Sequence, residues 1–289
     1  MTGTTSARPA AASPAPAAGT AAGTAAEAAV TAEAVTEAAA ARTAAGASKV
    51  PPVTAWFWLV KILTTGMGET LSDFLAHTVG PVPAVAAAGL LLAGALALQL
   101  RLRRCAAGVY WAVVVLVSVF GTMVADVAHV ALGVPYAVSA GALAVALAGL
   151  FLLWHRVEGS LAIDRVTGLR REAFYWSAVL LTFALGTAVG DLTAATLDVG
   201  YLLSGLGFTA LIAVPAVAAR ARWVGPVAGF WWAYVLTRPL GASFADWMGV
   251  SRARGGLDLG TGPVSLALAV LITAVLALSA VTARSNRRA

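Results

Sequence analysis

The stretch Trp58–Asp73, WLVKILTTGMGETLSD, decides the fold because its framework occurs four times in the chain. In each copy a tryptophan is followed ten residues later by a glycine and five residues after that by an aspartate, giving the pattern W-x9-G-x4-D. The later copies begin at Trp111, Trp176 and Trp231 and align with the first without a gap. Repetition at a fixed spacing indicates an internally repeated protein.

The repeated residues predict one face of a helix. On an α-helix the tryptophan, the positions seven and eleven residues later and the aspartate fall within about 80° of one another. A small residue follows each glycine four residues later, and this spacing lets helices pack closely in lipid. We therefore expect the four repeat helices to pack together at the glycines, with the aspartates beside the contact. The glycines are Gly68, Gly121, Gly186 and Gly241, and the aspartates are Asp73, Asp126, Asp191 and Asp246.

The composition is that of a membrane protein. Hydrophobic residues make up 60% of the chain, charged residues 11%, and the mean hydropathy is +0.86. Soluble domains are far less apolar. Hydropathy predicts eight spans of about 20 residues, near residues 54–75, 82–100, 107–129, 135–154, 173–194, 200–219, 224–246 and 263–283. The predicted fold is an all-α integral membrane protein of eight transmembrane helices, arranged as four parallel two-helix repeats at about 54–100, 107–154, 173–219 and 224–283.

The net charge of +6 marks membrane topology and does not indicate nucleic-acid binding. Most arginines follow the second, fourth, sixth and eighth spans, and only Arg252 and Arg254 lie in loops on the opposite side. Basic loops face the cytoplasm. We therefore expect a multi-pass protein of the inner (plasma) membrane with both termini in the cytoplasm and the lipid bilayer as its partner.

The two ends of the chain differ from the membrane domain, which we assign to residues 50–283. Residues 1–48 are rich in alanine, threonine and proline and contain no aromatic residue. Such a segment has too little apolar surface to form a core, so we expect a disordered cytoplasmic tail. Residues 284–289 form a basic cytoplasmic C-terminus.

The fourfold pattern, together with Lys61 and the Gly68-Glu69-x-x-x-Asp73 motif, resembles a bacterial family of uncharacterised membrane-anchored proteins built from a repeat of unknown function. The resemblance covers roughly residues 50–283 and implies no activity, ligand or catalytic residue. The copies differ in charge, because copies two and three replace Lys61 and Glu69 with Val114 and Thr122, then with Val179 and Thr187.

Carboxylates within spans need a physical account, since each costs about 2.5–3.5 kcal/mol at the membrane centre. In one interpretation Glu69 and the four repeated aspartates attract a cation, with His77 and His129 at the outer rim. Oxygen ligands suit Mg²⁺ or Mn²⁺, and added imidazole would favour Mn²⁺, Fe²⁺ or Zn²⁺. In the other interpretation the aspartates lie near the outer interface, where water solvates them and they cap neighbouring helices. The sequence leaves both open.

Three further residue types have predicted roles. Arg238 lies on the stripe one turn before the level of Glu69, so we expect an ion pair, either as a structural contact or as a gate. Lys61 is expected to extend back to the cytoplasmic interface. The four tryptophans of the repeat, from Trp58 to Trp231, are expected to anchor the helices at the headgroup level.

The leading functional hypothesis is a secondary transporter or exporter of a small cation, with a divalent metal as the candidate. The alternative is a non-transporting membrane scaffold or partner subunit. We expect no enzyme activity, since H-E-x-x-H, G-x-S-x-G and Cys-His signatures are absent from the sequence. Cys105 is the only cysteine, so a cysteine metal cluster within one chain is excluded, and no cofactor is expected.

Overall fold

The computed structural model describes residues 48–221 and 223–285. The predicted tail, residues 1–48, lies outside this part of the chain except for its last residue. Most of the predicted basic C-terminus, residues 284–289, lies outside it as well.

Regular structure in the described residues is helical and comprises eight long helices. Short π-helical turns, Val127–Ala131 and Leu192–Thr196, extend the third and fifth helices, and 3-10 turns occur at Ile163–Arg165 and Arg252–Arg254. The long helices are α1 (Ala55–Val79), α2 (Pro81–Arg101), α3 (Ala107–Asp126), α4 (Tyr136–Glu158), α5 (Leu169–Asp191), α6 (Tyr201–Arg220), α7 (Pro226–Gly249) and α8 (Thr261–Ser285).

Local sequence sets the ends of α1. The helix begins after Thr54, whose side-chain oxygen accepts a hydrogen bond from the backbone N–H of Phe57 at 3.4 Å. Hydroxyl residues stabilise helix starts in this way. The helix ends at Gly80, whose φ of +92° is a conformation that glycine adopts without steric cost. Pro81 then opens α2.

Six helices, α2, α3, α4, α5, α6 and α8, are long and apolar enough to cross a membrane. The other two, α1 and α7, have 25 and 24 residues and carry charged side chains along their length. These charges are Lys61, Glu69 and Asp73 on α1 and Arg238 and Asp246 on α7. The chain is therefore a multi-pass helical membrane protein with internal repeats.

The four repeat helices form the centre of the bundle. Helix α1 packs against α3, α3 against α5, and α5 against α7, and α7 packs against α1 to close a ring. The centre of this ring, which we call the axis, is where the repeat stripes meet. Equivalent positions of the four copies therefore lie at similar levels along the axis.

The repeated glycines lie at the contacts of the ring. A Cβ atom at Gly186 would overlap the Arg238 side chain and lie 2.9 Å from Cδ of Pro239. One at Gly241 would lie 2.9 Å from the carbonyl oxygen of Ile62. The glycine of each copy faces the residue seven positions after the tryptophan of the next copy: Gly68 faces Ser118, Gly121 faces Phe183, Gly186 faces Arg238, and Gly241 faces Thr65. This close approach is the packing that the small-residue spacing predicts.

The outer helices connect neighbouring copies. Each packs mainly on the repeat helix of the copy that follows, so α2 lies on α3, α4 on α5, α6 on α7, and α8 returns to α1. Their outward faces expose large apolar side chains such as Leu90, Val145 and Leu203. An extended apolar surface of this kind suits contact with lipid.

Aromatic rings fill the ring of helices at the tryptophan end. We call this set the aromatic layer; it consists of Phe57, Tyr110, Trp111, Tyr175, Trp176, Phe230, Trp231 and Tyr234. Trp111, Trp176 and Trp231 are buried within it, while Trp58 is half-buried beside Phe57 and Phe230. The prediction that the tryptophans face the headgroups is therefore wrong for three of them. The reason is that the stripe, including its first position, faces the axis.

A buried ion pair fixes the chain before α1. The Lys49 ammonium pairs with the carboxylate of Glu172 on α5 and donates a hydrogen bond to the carbonyl oxygen of Leu100 at 3.2 Å. The Ser48 hydroxyl donates to the carbonyl oxygen of Ile163 at 2.7 Å. These contacts hold residues 48–50 against α2, α5 and the loop that connects α4 to α5.

Candidate functional site

Arg238 joins the four repeat helices at one point on the axis. It lies on α7, and its guanidinium donates a hydrogen bond to the carbonyl oxygen of Thr65 on α1 at 2.6 Å. The same guanidinium pairs with the Glu69 carboxylate, also on α1, and donates to the hydroxyl of Thr122 on α3. A further bond, of 2.8 Å, reaches the Thr187 hydroxyl on α5. One side chain therefore bonds to all three other repeat helices.

The Arg238–Glu69 ion pair expected from the sequence is present and buried. The exposed fraction of the arginine side chain is 0% and that of the glutamate is 5%. Glu69, Thr122 and Thr187 occupy the same position in copies one, two and three, eleven residues after the tryptophan. The stripe therefore predicts that they share a level, but the sequence reasoning singled out Glu69 alone and missed the two hydroxyls as partners of Arg238.

Three carboxylates meet on the side of this ion pair that lies away from the aromatic layer. Oxygen atoms of Glu69, Asp191 and Asp246 all lie within 4.8 Å of one another. They come from α1, α5 and α7. Glu69 and Asp246 are buried, with 4% and 7% of their surface exposed, and Asp191 is half-buried. We call these three residues the acidic site.

Asp73 and Asp126 complete the set of five carboxylates but lie outside the acidic site. Both are half-buried and occupy the aspartate position of copies one and two. A π-helical turn begins directly after Asp126, and an equivalent turn begins after Asp191. Such turns widen a helix locally and often occur at functional positions. The set therefore extends from the buried acidic site to two partly exposed carboxylates at the end of the ring away from the aromatic layer.

The charges of the five carboxylates are poorly compensated. In the described part of the chain Arg238 is the only cation within ion-pair distance of any of them, and it pairs with Glu69. Arg254, in the loop between α7 and α8, is exposed and donates a hydrogen bond to the Tyr201 hydroxyl at 2.7 Å. Like charges placed close together in a poorly solvated region need bound protons or a cation to neutralise them.

The two histidines do not join the acidic site. Nδ1 of His77 donates to the backbone carbonyl of Asp73 at 2.7 Å, and the side chain is exposed. Nδ1 of His129 donates to the carbonyl oxygen of Val134 at 2.8 Å, and its ring stacks on that of Tyr136. In the described residues the acidic site offers carboxylate oxygens and no imidazole. The expectation that His77 and His129 complete a metal site is therefore not met by this arrangement.

Lys61 lies inside the ring and not at the interface. The side chain is fully buried, and its Nζ lies 4.1 Å from the ring centre of Phe183 and 4.2 Å from that of Tyr234. It donates a hydrogen bond to the hydroxyl of Thr237 at 3.2 Å. The prediction that Lys61 extends back to the headgroups is wrong, because position 61 lies about 60° from the stripe and that side of α1 faces the packed interior.

Hydrogen-bonding capacity remains unused along the axis. Nε of Arg238 and the hydroxyls of Ser118 and Tyr234 are buried and have no hydrogen-bond partner among the described residues. Buried polar groups in folded proteins nearly always have partners, which include ordered water and ligands. The axis is therefore a polar interior with room for further hydrogen bonds at the levels of Lys61 and Arg238.

Comparison with known proteins identifies the repeat. One family model matches the chain four times, over residues 56–105, 109–160, 174–222 and 229–285. Each match contains one copy of W-x9-G-x4-D and the outer helix that follows it. No curated protein and no solved structure matches the chain. Since the four matches cover most of its length, the chain belongs to the family described as Repeat of Unknown Function (DUF347).

Proposed function

We propose that the protein is a secondary transporter or exporter of a small, hard cation. In this proposal it crosses the plasma membrane eight times, with four parallel two-helix repeats around the axis and both termini in the cytoplasm. The acidic site binds the cation from the outer side. The Arg238–Glu69 ion pair closes the axis between that site and the cytoplasmic half.

One observation carries the proposal: three carboxylates from three repeats meet on the axis, and one guanidinium pairs with one of them. A buried charge without a partner is strongly unfavourable. Within a membrane, such groups generally face a bundle interior and form ion pathways. A bound cation neutralises the excess charge in the way that this arrangement requires.

The ligand chemistry favours a hard cation. Carboxylate oxygens are the ligands that Mg²⁺, Ca²⁺ and Mn²⁺ prefer, whereas sites for Zn²⁺ usually contain nitrogen or sulfur ligands. Glu69, Asp191 and Asp246 supply oxygen only. Three carboxylates close together favour a divalent ion over a monovalent one because the Coulomb attraction doubles with the ion's charge.

Arg238 is suited to act as a gate. Its guanidinium and a cation in the acidic site compete for the same carboxylate, that of Glu69. A cation that binds there weakens the ion pair, and the arginine is then held by the hydroxyls of Thr122 and Thr187 and by the carbonyl of Thr65. These neutral partners keep the Arg238 side chain on the axis while the cation binds the Glu69 carboxylate.

The test is the metal content of whole cells, measured by elemental analysis across a panel of cations. Cells express the wild type or a variant with the four repeated aspartates changed to asparagine, at matched membrane levels. Asp258→Asn, in the exposed outer loop, is the matched control. We expect a change in one divalent metal that the control retains and the fourfold variant loses. No difference for any metal contradicts transport.

The alternative is a non-transporting scaffold or partner subunit, which one observation favours. The aromatic layer fills the tryptophan end of the ring, and the buried Tyr110 and Tyr175 hydroxyls lie 2.6 Å apart within it. A packed scaffold requires such an interior. If the protein is a scaffold, we expect the fourfold aspartate variant to leave the cellular content of every metal unchanged and to alter only stability or the recovery of a co-purifying partner.

A further inference from the structure

Lys61 is a second cation on the axis, and the proposed gate does not use it. It is fully buried, and within the described residues no carboxylate lies within ion-pair distance of its ammonium. The partners of Nζ are two ring faces, from Phe183 and Tyr234, and the Thr237 hydroxyl. Ring faces attract a cation without neutralising it. A lysine held in this way differs from a structural ion pair, because no carboxylate keeps its proton in place.

Lys61 and Arg238 are linked through the same short segment of α7. Thr237, the hydrogen-bond partner of Lys61, directly precedes Arg238. The Thr237 carbonyl accepts a hydrogen bond from the Thr65 hydroxyl at 3.0 Å, and the Thr65 carbonyl accepts one from Arg238. The Phe183 ring lies between the two cations, 4.1 Å from Nζ of Lys61 and 5.6 Å from the guanidinium carbon. A displacement of the guanidinium therefore changes the electrostatic potential at Lys61 directly.

Few other titratable groups face Lys61. Helix α7 contributes Tyr234 and Arg238, and α5 contributes the uncharged Phe183 ring at this level. The equivalent positions on α3 and α5 are Val114 and Val179. On α1 itself the next charged group is Glu69, two turns further along and paired with Arg238. The described part of α8, which packs on α1, carries no charged side chain at this level. Among the described residues, Arg238 is thus the charged group whose position determines the electrostatic potential at Lys61.

We propose that Lys61 is the proton-exchanging group of the transport cycle, so that cation binding at the acidic site releases a proton from Lys61. The inference rests on the proposed function. When a cation takes the place of the guanidinium at Glu69, the positive charge of Arg238 is no longer neutralised and repels the nearby ammonium. The Lys61 ammonium then gives its proton to water and becomes a neutral amine. When the cation leaves, Arg238 pairs with Glu69 again and the amine regains a proton.

The polar groups beside Lys61 supply a route toward the cytoplasmic end. The Tyr234 hydroxyl has no hydrogen-bond partner among the described residues, and its ring lies in the aromatic layer, 5.4 Å from that of Trp231, which in turn lies 6.1 Å from that of Tyr175. The hydroxyls of Tyr110 and Tyr175 are themselves 2.6 Å apart. Hydroxyls both donate and accept hydrogen bonds, so a line of them is able to pass a proton. The inferred exchange therefore couples the cation to protons of the cytoplasmic side.

The test measures cation binding and proton release together on the purified full-length protein. Mn²⁺ is added to protein in a weakly buffered solution at pH 7, free Mn²⁺ is followed by electron paramagnetic resonance, and released protons by an indicator dye. We expect Lys61→Met and Lys61→Arg to bind Mn²⁺ but to release about one proton fewer per ion than the wild type. Arginine keeps the positive charge but retains its proton, so the Lys61→Arg variant separates the loss of charge from the loss of proton exchange.

The control is Lys49→Met, which removes the only other lysine of the chain and should leave the proton count unchanged. If both Lys61 variants bind Mn²⁺ and release as many protons as the wild type, the role of Lys61 is wrong while the cation site stands. If the wild type binds no Mn²⁺, the proposed cation site is contradicted, and so is the role of Lys61 that depends on it.

Discussion

Replacing Arg238 with methionine is the most informative change to the structure. Methionine keeps the methylene groups that pack over Gly186 and removes the guanidinium. The carboxylate of Glu69 then stays buried without its charge partner, and the hydroxyls of Thr122 and Thr187 lose their donor. Removing one member of a buried ion pair costs about 3–5 kcal/mol. We expect a loss of unfolding free energy in this range.

A second substitution separates the ion pair from simple packing. In the double variant Arg238→Met with Glu69→Gln, neither side chain of the former pair carries a charge, and the amide can bond to the Thr122 hydroxyl. Replacing both members of a buried pair with neutral groups is often close to neutral. We therefore expect the double variant to be more stable than Arg238→Met alone by about 2 kcal/mol or more.

The assay is detergent-induced unfolding followed by tryptophan fluorescence. The chain has nine tryptophans, and three of them are buried in the aromatic layer close to the axis. Glu69→Gln alone completes the cycle of four proteins. If the double variant is no more stable than Arg238→Met, Glu69 is not held by the arginine charge, and the proposed gate loses its basis.

Three further predictions concern packing, the aromatic layer and topology. Gly186→Ala should lower the unfolding free energy by about 1–3 kcal/mol because the new Cβ overlaps Arg238. The control is Gly141→Ala, whose new Cβ has no atom within 4 Å, and it should be neutral or slightly stabilising in the same assay. Tyr175→Phe should cost about 1 kcal/mol by removing the hydrogen bond to Tyr110; an unchanged unfolding curve contradicts that bond. Partial burial raises the pKa of the Cys105 thiol, so less thiolate exists at neutral pH and the rate of maleimide labelling should increase as the pH rises past the usual thiol range. A membrane-impermeant maleimide should label Cys105 in inside-out vesicles. Labelling in intact cells would contradict the proposed topology.

The repeat spacing predicts much of the architecture because it reports a physical contact. Each repeated glycine is required where the next copy approaches most closely, as at Gly186 against Arg238. The tryptophan-to-aspartate spacing gives the stripe that faces the axis. Hydropathy predicts all eight long helices to within a few residues of their observed ends. Only α1 and α7 fall outside the six that are apolar enough to cross a membrane, because their charges lower their apolar character.

Other features depend on which helices are neighbours, and a single sequence does not contain that information. The outer helices pack on the following copy, so the partners of α2 and α8 follow from closure of the ring. Lys61 and the tryptophans have long side chains that suit an interface as well as an interior, and the ring places most of them inside. Thr122 and Thr187 are ordinary residues of an apolar helix until Arg238 reaches them from α7.

The most direct test of the account is the position of a bound cation. Crystals of the purified protein soaked in Mn²⁺ and measured at the manganese absorption edge would locate the ion by its anomalous scattering. We expect a peak among the carboxylate oxygens of Glu69, Asp191 and Asp246, and we expect the Asp246→Asn variant to lose it. A map without a peak there, or with Mn²⁺ bound only at surface carboxylates such as Asp258, would contradict the proposal that carboxylates from three of the repeats form a cation site on the axis.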